Sequence, residues 1–144
     1  MFTQHGITIG GTSAGTACQT ELMLTGKGNM KVLKSKNIEL VRGLELLPNV
    51  LIDQHFIERN RQNRLISVVL EYPKLLGIGV GEGTSIWVNS NSILKVIGDG
   101  WVQLYDASNS KIVHGNDNNI GGSNLKMHIL QNNESFNLTS KLMI

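Results

Sequence analysis

Residues 7–23 read ITIGGTSAGTACQTELM, and the turn inside this stretch decides the fold. Ile7–Gly10 has the apolar, β-branched character of a short buried strand. Gly11-Thr12-Ser13-Ala14-Gly15 fits the pattern G-x-S-x-G, and the segment from about Ala14 to Leu24 reads as a helix. In such a strand–turn–helix setting a serine is thrust out of the end of a sheet on a tightly bent backbone, and small flanking residues avoid collisions with the neighbouring strand and helix. The same bend turns backbone N–H groups, those of Gly11 or Ala14, toward the place where an oxyanion would develop. Glycine and serine are also common in ordinary βα turns, so the pentapeptide alone leaves a purely structural reading open.

Working outward, 144 residues suffice for one domain with a single core. Hydrophobic residues make up 40% and charged residues 17%, a globular balance rather than a disordered one. Thirteen basic and eleven acidic side chains leave a net charge of +2, too little for a nucleic-acid binder. No apolar run reaches the roughly 18 residues of a membrane span. No basic and apolar leader pattern marks a signal peptide, which favours the cytosol. The single cysteine, Cys18, excludes an internal disulfide and a cysteine-based zinc cluster.

Downstream, TGKGNMK is a glycine-punctuated loop, and KVLKSKNIELVRGLELLP shows no clear period. NVLID, ending at Asp53, is a short buried strand. HFIERNRQNRLISVVLEY is helical in its later part, with Leu65, Val68, Val69 and Tyr72 on an apolar face, and Pro73 closes it. LLGIGVGEGTSIWVNS gives two strand-like runs. SILKVI–GDG–WVQLY predicts a hairpin turning at Gly98-Asp99-Gly100. SNSKIVHGNDNNIGGSN predicts a polar surface loop, and LKMHIL a terminal strand. The order is strand, helix, strand, helix, then several strands: an α/β fold with an antiparallel or mixed finish.

Two further segments carry chemistry. In LIDQHFIERNRQNRL a strand ends at Asp53 and delivers His55 where functional groups collect; a serine needs a neutral imidazole to take its proton. His5, His114 and His128 read as structural hydrogen-bonders. Arg59, Arg61 and Arg64 follow, and arginine's planar fork suits carboxylates. Helical geometry puts Arg61 and Arg64 on neighbouring sides and Arg59 nearly opposite Arg61, so a solvated charge run remains open for at least one of them. In GIGVGEGTSIWV, Glu82 is the one carboxylate between two strand-like runs, with Gly79, Gly81 and Gly83 clearing space around it. A carboxylate there would fix the imidazole tautomer; the plainer reading is a solvent-facing glutamate on a glycine-rich turn. The glycine offsets and the following strand exclude a dinucleotide fingerprint. The order serine, histidine, acid excludes an α/β-hydrolase, whose acid lies between serine and histidine.

Together GGTSAG, DQHF with its three arginines, and GIGVGEGTSIWV resemble the cyanophycinase family, serine peptidases of the aspartyl-dipeptidase-like group with a glutamine-amidotransferase-like α/β fold. The resemblance covers roughly residues 7–106 and extends into WVQLYD. It implies Ser13 as nucleophile, His55 as general base and Glu82 as its acid partner. It also implies a substrate pocket of Asp53, Gln54, Arg59, Arg61 and Arg64. The activity implied is cleavage of β-linked aspartyl-arginine from cyanophycin, a storage polymer, with no metal or other cofactor. Gly81 departs from the family, which more often has aspartate before the glutamate. The family also has a substantial N-terminal half ahead of its serine turn, so the chain resembles the C-terminal half of a longer enzyme. The expectations that follow are a peptide substrate, no nucleic-acid or membrane partner, and a homodimer or association with an N-terminal half through exposed sheet edges. The alternatives are an α-aspartyl dipeptidase, or a non-catalytic remnant or partner subunit.

Overall fold

A computed structural model describes residues 6–144. Its elements in chain order are α1 (Ala14–Ala17), β1 (Leu22–Leu24), β2 (Leu40–Arg42), β3 (Val50–Gln54), α2 (Gln62–Glu71), β4 (Leu76–Val80) and β5 (Thr84–Val88). There follow β6 (Ile93–Gly98), β7 (Val102–Asp106), β8 (Lys111–His114), β9 (Ile120–Ser123), β10 (Lys126–Leu130), β11 (Ser135–Asn137) and β12 (Leu142–Met143). The fold is α/β, with few helices and mixed sheets.

The element that organises it is β4, whose five residues are all buried. It pairs in parallel with β3, Ile52 opposite Ile78, and antiparallel with β7, Ile78 opposite Leu104. With β10 outside β7, the sheet order is β10-β7-β4-β3. Because side chains alternate across a strand, this sheet serves two cores. Val50, Ile52, Leu76, Ile78, Val80, Val102, Leu104 and Leu130 pack with Leu94, Val96 and Phe136 of a second sheet, ordered β12-β11-β6-β5. Leu51 and Tyr105, on the opposite face, pack with Phe56 and with Leu65, Val68 and Val69 of α2. The result is three layers: helix, mixed sheet, antiparallel sheet. On the helix side β4 presents only Gly77 and Gly79. A Cβ on Gly77 would stand 2.7 Å from Val69 Cγ1, and one on Gly79 2.2 Å from the Phe56 ring, so the helix layer closes down only because these positions carry no side chain.

Several expectations change. The segment Ile7–Gly10 is not a strand: it is exposed and pairs with nothing among the described residues. A strand needs a neighbour to satisfy its ladder, and β3 is left as the edge of its sheet. The first helix stops at Ala17 rather than Leu24, because the Thr20 hydroxyl bonds to the Ala17 and Leu22 carbonyls and the chain enters β1. Tyr72 is 42% exposed and lies off the apolar face of α2, which ends ahead of Pro73.

SILKVI and WVQLY do not form a hairpin. β6 pairs with β5 and β7 with β4, so Gly98-Asp99-Gly100 carries the chain between layers. Gly98, at φ +127°, crosses so near Gly83 that a Cβ would lie 2.2 Å from its carbonyl oxygen. The polar segment expected as a loop forms the two-stranded ribbon β8–β9. LKMHIL forms the strand β10, which pairs with β7 but is not terminal, since β11 and β12 follow it.

Candidate active site

Ser13, His55 and Glu82 meet at the C-terminal ends of the parallel strands, where open α/β sheets place their crevices. Ser13 stands at the N-terminus of α1 with φ 53° and ψ −120°, a region that L-residues avoid and that persists only when the surroundings impose it. Gly15 N donates to Thr12 O and Thr16 N to Ser13 O, and the Thr16 hydroxyl donates to Gly11 O at 2.7 Å. A Cβ on Gly11 would sit 2.1 Å from the Gly15 carbonyl oxygen. Gly11 is therefore required by this close approach, whereas a Cβ on Gly15 would meet nothing within 4 Å. Neither Gly11 N nor Ala14 N donates to a backbone acceptor among the described residues.

His55 follows the last residue of β3, also in left-handed backbone at φ 49°. That reversal ends the strand and lets Phe56 fold back over β4, with its N–H donating to Val80 O at 3.1 Å. Phe56 is fully buried and anchors the loop from below while the imidazole turns outward. The His55 ring is placed between the other two groups: Nε2 is 3.0 Å from Ser13 Oγ and Nδ1 is 2.7 Å from Glu82 Oε1. A carboxylate on Nδ1 fixes the proton there and leaves Nε2 free to accept from the serine. His55 and Glu82 side chains are 27% and 55% exposed, so one side of the site is open.

Glycine does less around Glu82 than the sequence implies. Gly79 makes room for Phe56, and Gly83, at φ +64°, forms the turn; only Gly81 borders the acid's surroundings, with Trp101 O, Glu58 and Ile57 nearest its missing Cβ.

The five residues assigned to a substrate pocket divide into two groups. Asp53, Arg61 and Arg64 are 1%, 7% and 3% exposed and form a buried ionic cluster rather than the lining of an open cleft. Arg64 grips the Asp53 carboxylate with Nε at 2.6 Å and with Nη2. Arg61 Nη1 reaches Asp53 Oδ1 at 3.2 Å and Gln54 Oε1 at 3.1 Å. Burial, with Arg64 beside it, draws the Arg61 guanidinium below its usual value, and Asp53 opposes that shift. Two positive charges meet one negative, and Arg61 Nε has no partner among the described residues. The second group is more accessible. Gln54 is half-buried beside His55, and Arg59 is exposed in the turn between His55 and α2, where its N–H bonds to His55 O at 3.2 Å. Arg59 and Arg61 both precede the helix, so their separation is not helical.

Among the other histidines, His114 is exposed on β8. His128 packs edge-on against Phe136, ring centroids 5.0 Å apart, and its Nε2 has no partner among the described residues, so it packs more than it bonds. His5 lies outside the described residues. Among them no cluster of His, Cys, Asp and Glu is arranged to hold a metal ion, and no helix is long and apolar enough to cross a membrane. Sequence reasoning missed Glu58, which accepts a hydrogen bond from the Glu82 amide at 3.0 Å. It also missed Trp101, whose carbonyl accepts from Gly81 N at 3.1 Å. Nothing in their spacing announces either contact.

An α/β layer with serine, histidine and carboxylate in hydrogen-bonded series at the ends of its parallel strands is an arrangement found among serine hydrolases, and the relatives point to peptidases. The sequence profile of peptidase family S51 matches residues 2–96, and the chain belongs to that family. Similar curated proteins are a cyanophycinase of Trichormus variabilis, 35% identical over 96% of this chain and 48% of its own length, and one of Synechococcus elongatus, 37% identical over 90% and 42%. A third, from Geminocystis herdmanii, is 34% identical over 91% of this chain and 50% of its own. The chain thus spans about half the length of these relatives.

Proposed function

We propose that the chain carries the catalytic residues of a serine-type exopeptidase that hydrolyses β-aspartyl-arginine linkages of cyanophycin or related acidic peptides. The observation that carries this reading is the series Ser13 Oγ, His55 Nε2, His55 Nδ1, Glu82 Oε1, at 3.0 and 2.7 Å. Ser13 Oγ attacks the scissile carbonyl as His55 Nε2 takes its proton, and Glu82 holds the imidazolium that forms. The N–H groups of Gly11 and Ala14 receive the oxyanion. His55 then returns the proton to the leaving amine, and water, deprotonated by the same imidazole, releases the acyl group. No metal or other cofactor enters this scheme.

Substrate preference rests on charge. Arg59 and Gln54 meet the ligand, and the excess positive charge of the Asp53–Arg61–Arg64 cluster, with its unpartnered Nε, favours a carboxylate nearby. The architecture assigned to the whole enzyme is glutamine-amidotransferase-like. A second reading is favoured by the open face of the site and by the length of the relatives. In it, this chain works only with additional polypeptide that covers Ser13 and completes the pocket.

The test joins this chain, in cis or as a separate polypeptide, to the N-terminal half of a curated relative. Release of aspartyl-arginine is then measured with and without Ser13→Ala. The variant should lose activity by roughly 10⁴- to 10⁶-fold while still binding the peptide. Substantial turnover by the Ser13→Ala protein would show that another residue is the nucleophile.

A further inference from the structure

The turn that carries Glu82 is held from several sides. Gly81 N donates to Trp101 O at 3.1 Å and Asp99 N to Gly83 O at 3.2 Å, and the Thr84 hydroxyl donates to Glu82 O at 3.2 Å. These contacts come from β5 and the segment leading into β7, all remote in sequence from His55. The Glu82 amide itself is held from the histidine's own loop, by Glu58 Oε1 at 3.0 Å. Residues 55–61 are folded into a tight turn by Arg59 N to His55 O, Asn60 N to Ile57 O and Arg61 N to Phe56 O, and this aims the Glu58 side chain across at Glu82. Gly81 lies beside this contact: a Cβ there would stand 3.6 Å from Glu58 Oε1, an ordinary contact, and 3.2 Å from Trp101 O, a tight one.

We propose that Glu58 is a positioning residue for the acid–base pair: by accepting the Glu82 N–H it ties the turn bearing the carboxylate to the turn bearing the imidazole, setting the Glu82–His55 contact. The inference rests on the triad reading above. Glu58 acts by reach, not by charge. Its carboxylate anchors a peptide group whose own side chain must meet Nδ1, and an exposed carboxylate such as Glu82 has few other restraints on its rotamer.

Two substitutions separate reach from charge. Glu58→Asp keeps the charge and is one methylene too short; Glu58→Gln loses the charge and keeps an oxygen at the same distance. The readouts, both on the intact chain joined to the N-terminal half of a relative, are the ring-nitrogen NMR shifts of His55, which report the tautomer, and hydrogen exchange of the Glu82 amide. Glu82→Gln serves as reference for loss of the pair. Glu58→Asp should move the His55 signals more than halfway toward the Glu82→Gln values and speed exchange of the Glu82 amide by at least about tenfold. Glu58→Gln should remain close to the unsubstituted chain in both. Equal shifts in the two variants, or no shift with Glu58→Asp, would overturn the proposal. If Glu82→Gln itself leaves His55 unchanged, the triad reading fails first, and this inference with it.

Discussion

Asp53 is the counter-ion for two guanidinium groups in a place that water barely reaches. Removing one partner of such a cluster strands charge in a medium that solvates it poorly, which costs more than the pair contributed. Asp53→Asn keeps the shape and removes the charge, so the chain should lose about 3–5 kcal/mol of stability, read as a lowered urea midpoint. Arg59→Ala, at an exposed position, should change stability by no more than about 0.5 kcal/mol and should instead weaken binding of acidic peptides. If Asp53→Asn left the midpoint alone and affected only binding, the cluster would be ligand machinery rather than scaffold. The distinction matters because the sequence shows three arginines in a row of equal promise, and only burial separates those that hold the fold from the one that faces solvent. The serine turn is different. There Gly11, whose Cβ would meet the Gly15 carbonyl, and the helix start at Ala14 lie within one pentapeptide, so the turn was legible from it, but the strand expected ahead of it does not form. Glu58 was not, because the partner of its carboxylate is a backbone N–H that sequence does not mark.

At the scale of elements, β7 and the segment before β12 are joined by Lys141 Nζ to Asp106 Oδ1 at 2.7 Å, with Asp106 buried and Lys141 half-buried. Burial works to raise the Asp106 pKa, yet bonds from Lys141 and Ser108 outweigh it, leaving the pKa below the ordinary 3.8. A depressed carboxylate contributes stability that is present above its unfolded value and lost as pH falls through the folded one. Urea midpoints measured from neutral pH to below 3.8 should therefore fall on the acid side. Lys141→Met should remove on the order of 1 kcal/mol at neutral pH and flatten that acid limb; an unchanged limb would mean the bond contributes nothing to folding. Strands β3 and β4 and helix α2 were readable from sequence because their apolar spacing is dense and local. The β6–β7 hairpin was misread for a specific reason. Leu94 and Val96 of β6 and Val102 and Leu104 of β7 enter the same core, but from opposite sheets. Alternation is identical whether two strands pair side by side or face each other across a core, so the pattern cannot choose. The β8–β9 ribbon hid for another reason: apart from Ile120 its residues are mostly exposed, and it lacks the apolar face that marks a strand.

For the whole molecule, the mixed sheet ends at β3 on one side and β10 on the other, and neither edge has a further neighbour among the described residues. Unpaired strand edges recruit other chains, and Ile7 and Ile9, 54% and 36% exposed, add apolar surface close in sequence to the serine turn. The chain by itself should therefore associate or show poor solubility and release no aspartyl-arginine. Supplying the N-terminal half of a relative should give a monodisperse complex with activity. A monodisperse monomer of this chain that hydrolyses the linkage unaided, measured by sedimentation and dipeptide release, would refute that expectation.

The burial of β4 on both faces has a further consequence during synthesis. Its neighbours β3 and α2 precede it, but the strands that cover its remaining edge and its outer face, β7 and β6, are translated afterwards. β7 ends at Asp106, twenty-six residues beyond Val80, an interval of roughly 1–5 s at about 5–20 residues per second. For those seconds a strand suited to a solid interior stands at the mouth of the ribosome with half its surroundings unmade. Its pairing with β7 is also non-local and slow to form. A strand covered on both faces in the finished protein is thus incompletely covered while it is being made, a liability of the path and not of the folded state.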